Sequence, residues 1–163
     1  MVHKITYPIL IIIICALVAF VMYQNHQDTK NEHHYLKLSG ESSHWKLNDY
    51  EIEITPKIMS SGNGKLYFKP TDNNYVTEYY DFGMRAIINN EETTLQKQVV
   101  SGPEDFKGGI NTGSVEGPAF FTKTRNPIML EDVNEIYAVI KWEDNDGKMQ
   151  EETISLYVKK AKE

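Results

Sequence analysis

Tyr79-Tyr80-Asp81-Phe82-Gly83-Met84-Arg85-Ala86-Ile87-Ile88-Asn89 is the stretch whose pattern decides the fold. Tyr80, Phe82, Met84, Ala86 and Ile88 recur at every second position, the spacing of a strand with one buried face. On a helix of 3.6 residues per turn these side chains would spread over more than half the circumference, with polar neighbours between them. Asn89-Asn90-Glu91-Glu92 then turns the chain into a second run, Thr93 to Val100, so the pair reads as an antiparallel hairpin.

The same period holds on both sides of this hairpin. Tyr35 to Gly40 reads as a short strand, and Trp45-Lys46-Leu47 leads into Tyr50 to Thr55, with Tyr50, Ile52 and Ile54 on one face. Ser60-Ser61-Gly62-Asn63-Gly64 reads as a hairpin turn, Leu66 and Phe68 as the next strand, and Thr71 to Asn74 as a loop. Ser101 to Pro118, with five glycines and two prolines, reads as a long loop. After a possible helical turn near Leu130 to Val133, Ile136, Ala138, Ile140 and Trp142 alternate; Asp146-Gly147 turns the chain, and Ile154, Leu156 and Val158 form the last strand. Seven or eight strands and no convincing helix predict an all-β domain over residues 35–163, an antiparallel immunoglobulin-like β-sandwich. Ile52, Phe82, Ile140 and Leu156 are its expected core.

Ahead of that domain, Ile5 to Tyr23 carries no charge. As a helix rising ~1.5 Å per residue it would match the ~30 Å of a bilayer's hydrocarbon core, which predicts a single N-terminal transmembrane signal-anchor helix. Cleavage of a signal peptide would need a pair of small residues that the run lacks, and lipidation would need a small residue before Cys15 where Ile14 stands. Lys4 and His3 place residues 1–4 in the cytoplasm, residues 24–34 as a polar stalk, and the β domain on the far side of the cell membrane.

Past the anchor stand 23 acids against 16 bases, a formal charge of −7 that disfavours nucleic acid as a partner. The single cysteine, Cys15, lies in the apolar run, so the domain has no disulfide and no thiol chemistry.

Ser39-Gly40-Glu41-Ser42-Ser43-His44-Trp45-Lys46 contains a Gly-Glu-Ser-x-x-Trp-Lys segment. It resembles the start of small exported or lipid-anchored proteins of Gram-positive bacteria that have immunoglobulin-like domains. Leu130 to Tyr137 is similar to the corner before the sixth strand of such domains, where a tyrosine hydroxyl bonds back to the chain. Neither resemblance implies an activity.

Candidate chemistry is sparse. Trp45, beside Leu47, reads as core rather than as a ligand platform. Asp144-Asn145-Asp146-Gly147 lacks the flanking acid and helices of a calcium loop and reads as an exposed turn. His26, His33, His34 and His44 sit close in sequence without a cysteine to complete a zinc site. Gly113-Ser114-Val115-Glu116-Gly117 misplaces the serine of a nucleophile elbow, and Glu91-Glu92 and Glu151-Glu152 read as solvated charge. No catalytic residue, metal ligand or cofactor follows.

What remains is an aromatic and polar contact surface: Asp105, Phe106 and Lys107 in the long loop, with Phe120, Phe121, Tyr75 and Tyr79 around it. The expected function is a non-catalytic, membrane-anchored module of a bacterial envelope that binds a protein or cell-wall polymer. A membrane-complex subunit or immunity-type factor acting through the apolar segment is the alternative, and a metal-dependent or hydrolytic enzyme the third.

Overall fold

The computed structural model describes residues 13–21, 33–69, 75–123 and 126–160. The chain divides into two compact units, Met1–Glu32 and His33–Glu163. In the first, residues 13–21 are helical with exposed side chains, and Cys15 is a free, exposed thiol. Among the described residues no helix is long and apolar enough to cross a membrane, which corrects the expected anchor over Ile5 to Tyr23. The nine described helical positions rise about 14 Å, against the ~30 Å that a span requires. The remainder of that run, like most of the expected stalk, lies outside the described residues.

The second unit is two antiparallel sheets. Strands β1 (His34–Glu41), β2 (Trp45–Ile54), β3 (Ile58–Gly62), β4 (Lys65–Phe68), β7 (Ile110–Asn111) and β8 (Ser114–Pro118) form one. Strands β5 (Val76–Ile88), β6 (Glu91–Asp105), β9 (Val133–Glu143) and β10 (Met149–Val158) form the other, in the order β10-β9-β5-β6. The alternating faces read from the sequence are the buried ones: Tyr80, Phe82, Met84, Ala86 and Ile88 on β5, Tyr50, Ile52 and Ile54 on β2, and Ile136, Ala138, Ile140 and Trp142 on β9. Leu156, expected in the core with Ile52, Phe82 and Ile140, is only half-buried and packs against it.

Three expectations are corrected. Asn63-Gly64 is not a hairpin turn. β3 pairs with Glu51 to Ile54 and β4 with Trp45 to Asn48, so the two are one ribbon lying along β2 with a break in the middle. The reversal comes earlier, at Thr55 to Ile58, where the Thr55 hydroxyl accepts from the Ile58 N–H at 3.0 Å. The stretch 101–118 is not a structureless loop: β6 runs on to Asp105 beside Val76 and Thr77, and β7 and β8 pair with β4 and β3. Nor is the strand order that of an immunoglobulin domain. The neighbour of β2 is the next ribbon in sequence, rather than a strand that returns after visiting the other sheet. Tyr137 likewise makes no tyrosine corner, since its hydroxyl bonds the Glu92 carboxylate across the outer face of the second sheet.

The breaks in the first sheet fall in line. The β1–β2 register shifts between Leu38 and Gly40. There Asp49 adopts a positive φ of 55°, and its N–H donates to the Ser39 hydroxyl at 2.9 Å in place of a ladder bond. Beside it lie Asn63-Gly64, then Thr112-Gly113 between β7 and β8, joined by Asn63 N–H to the Gly113 carbonyl at 2.7 Å and Thr112 N–H to the Gly64 carbonyl at 2.9 Å. Gly62 tolerates no side chain, because a Cβ there would stand 2.2 Å from the Gly113 oxygen.

A buried polar relay crosses from this line to the second sheet. The Tyr50 hydroxyl donates to Gln96 Oε1 at 2.5 Å, and Gln96 Nε2 donates to the Thr112 carbonyl at 2.5 Å. Burial pushes the Tyr50 phenol far up, so it stays a neutral donor.

The sheets also meet where β1 passes β10. A Cβ on Gly40 would lie 2.9 Å from the Ser155 carbonyl and 2.8 Å from Ile154 Cγ2, a separation that forces the backbone to move. Gly40→Ala is expected to cost about 1–3 kcal/mol. Gly117→Ala on β8, with open space around it, is expected to change stability by under about 0.5 kcal/mol. Urea unfolding of the two variants checks the contrast.

Candidate functional site

At the end of the sandwich where β2 begins, aromatic rings from both sheets converge on Trp45. Phe68, Phe106 and Trp142 meet it edge-to-face at centroid distances of 5.0, 4.8 and 5.3 Å. Its buried indole N–H has no hydrogen-bond acceptor among the described residues. Trp45 is therefore core, as expected. Phe68 stacks on Tyr75 at 3.7 Å, and the Tyr75 hydroxyl donates to the Glu143 carbonyl at 3.1 Å. Burial pushes the Tyr75 phenol up.

Outside this cluster a groove of about 550 Å³ opens, floored by His44, Phe68, Tyr75 and Trp142. Its rim is the β9–β10 hairpin, with Asp144, Asn145, Asp146, Gln150, Glu151 and Glu152. The size is that of ordinary ligand sites, which run ~300–1,000 Å³.

Two local structures shape the rim. In the hairpin turn the Asp144 carboxylate accepts from the Asp146 and Lys148 N–H groups at 2.9 Å and from Gln150 Nε2 at 2.7 Å. The Lys148 backbone bond leads in holding this carboxyl below the usual aspartate range. The turn read from Asp144 to Gly147 is thus present, with Gly147 at φ 76°. Among the described residues no three acids, histidines or cysteines converge on a metal position.

The second structure is a latch. The segment before β2 reaches β10 through Glu152, which accepts from the Ser42 hydroxyl at 2.6 Å, the His44 N–H at 3.0 Å and His44 Nδ1 at 2.5 Å. Burial works to raise the Glu152 carboxyl, but these bonds outweigh it and hold the group below its ordinary value. The serine bonds the glutamate and not the histidine, so the trio lacks the nucleophile-to-base contact of a hydrolase.

No family model, no curated protein and no solved structure matches the chain.

The residues expected to form one contact surface are divided between two ends. Phe106 is 4% exposed and part of the Trp45 cluster, while its neighbours Asp105 and Lys107 are exposed and joined by the Lys107 N–H to Asp105 Oδ1 bond at 2.8 Å. Tyr75 is buried beside them, and Tyr79 is half-buried on β5. Phe120 and Phe121 lie far off: Ala119 bonds to Lys57 at the β2–β3 turn, the opposite end of the ~30 Å long β2. Phe121 is 57% exposed. The loop Asp72 to Asn74 lies outside the described residues, as does His26. His33 pairs with Glu53 at 2.8 Å and His34 opens β1, while His44 lies before β2 on Glu152, so these three histidines do not assemble. Sequence reading weighed His44 as a metal ligand and Glu152 as part of a carboxylate pair, set both aside, and did not single out Trp142 or Gln150 as site residues; the available signal was the Ser42-to-Trp45 segment, whose Ser42 and His44 face β10.

Two expectations follow. Phe106→Ala removes a ring packed on Trp45 and is expected to cost about 3–5 kcal/mol in urea unfolding, as a core residue does and a contact tip does not. Glu152 titrates lower in the folded chain, so its contribution is full above the ordinary glutamate range and is lost as pH falls through its native value. Melting temperatures of wild type and Glu152→Gln, measured between pH 7 and 3, should therefore converge toward the acid end.

Proposed function

We propose that the protein is a non-catalytic binding module that holds its partner, a protein or polymer, in the groove between the Ser42-to-Trp45 segment and the β9–β10 hairpin. The observation that carries this reading is the groove itself. Aromatic side chains contributed by both sheets form its floor, and a polar rim is fixed by Asp144 and by the Glu152 latch. An apolar floor with a few placed polar groups is the general form of a binding site. Phe68 and Trp142 of its floor are packed against Trp45, so binding costs little ordering of these rings.

Asn145, exposed at the turn and on the rim, is the position for a blocking change. Peptide and glycan arrays are probed with wild type and with Asn145→Trp. Ligands retained by wild type and lost by the variant, with melting unchanged, are expected. Array ligands that bind both proteins equally would place the working surface elsewhere.

A further inference from the structure

Resting on the reading of this groove as a binding site, we infer that its occupant is an extended segment of a partner polypeptide that presents a lysine or arginine side chain to the carboxylates of the β9–β10 hairpin. The groove is lined by Asp144, Asp146, Glu151 and Glu152, and by no lysine or arginine among the described residues. The acids differ in how far they are already satisfied. Glu151 is paired with Lys141 at 2.8 Å. Asp146 has only Lys148 at 3.9 Å, both side chains being over 70% exposed. Asp144 and Glu152 are held by N–H, amide, hydroxyl and imidazole groups, and these bonds keep both carboxyls below their ordinary range. At neutral pH the rim therefore carries four carboxylates against Lys141 on Glu151 and the more distant Lys148 on Asp146, an excess of negative charge that favours a cationic ligand.

The floor also discriminates between a peptide and a sugar. A sugar ring needs a flat aromatic face laid open beneath it. Trp142 is 3% exposed and Tyr75 6% exposed, and half-buried Phe68 has Tyr75 stacked on one face at 3.7 Å, so none of these three rings lies fully open. A narrow aliphatic stem tipped by an ammonium or guanidinium group reaches the carboxylates without one. The groove volume of about 550 Å³ exceeds one side chain, which suits a short extended segment.

Calorimetric titration of the full-length protein with three probes tests this. They are the capped peptide Gly-Lys-Gly-Lys-Gly, the same peptide with both lysines acetylated, and the neutral sugar chitotetraose. The lysine peptide is expected to bind, and acetylation to weaken it about tenfold or more. Raising salt from about 0.05 to about 0.5 M should weaken it too. Asp146→Lys, at an exposed position, is expected to lose about tenfold, while Glu116→Lys on β8, outside the groove, should lose nothing.

Binding of the acetylated peptide or of chitotetraose in preference to the lysine peptide, abolished by Asn145→Trp, would overturn the cationic ligand and leave the binding groove standing. Lysine-peptide binding that Asp146→Lys and Glu116→Lys weaken equally would show general charge attraction and overturn the inference. Failure of all three probes would overturn it as well, and the groove reading falls with it only if the arrays are also empty.

Discussion

Trp45 is the contact on which the rest of the domain depends. It opens β2, and the rings around it come from the end of β4, from the bend after β6 and from β9. Tyr80 of β5 touches the same cluster through Phe106. One side chain thus joins both sheets at a point where no backbone ladder can, since the backbone ladders run only within each sheet. Edge-to-face packing holds the rings in fixed orientation as well as burying them, and the groove is the outer surface of that arrangement. Floor and core are the same residues seen from two sides, so the shape of the groove is set by the packing that stabilises the fold.

Much of this was legible in the sequence because burial on one face of a strand writes a period of two. Tyr80 to Ile88, Tyr50 to Ile54 and Ile136 to Trp142 are read correctly for that reason alone. The β-strands between Ser101 and Pro118 were not legible. β8 lies at the sheet edge with Ser114, Val115 and Glu116 exposed, so no apolar alternation marks it. Asn63-Gly64 misled because a positive φ serves an irregularity in a continuous ribbon as well as a turn. The apolar run near the start misled differently. Hydropathy reports what a segment would prefer, whereas among the described residues no helix is long and apolar enough to cross a membrane.

The site was harder to read than the fold. Ser42, His44 and Glu152 meet across 108 or more positions of sequence, and no local spacing announces a contact of that range. Phe106 shows the converse. An aromatic between an acid and a base in a glycine-rich stretch has the composition of a contact tip, but the bend that follows β6 turns the ring inward onto Trp45. Composition describes what a segment carries; the register of β6 on β5 decides which way it points.

The aligned breaks in the first sheet bear on how the molecule behaves among its own copies. A long, regular edge strand is an open template on which another chain can add, and β7–β8 stands at such an edge. Thr112-Gly113 interrupts that edge after two residues of β7, and Pro118, at the end of β8, has no N–H to offer. The second sheet's outer strand, β6, carries Pro103 and Lys97 along its length. Irregularity that looks like a defect in pairing is, at these margins, protection against fibrous self-association.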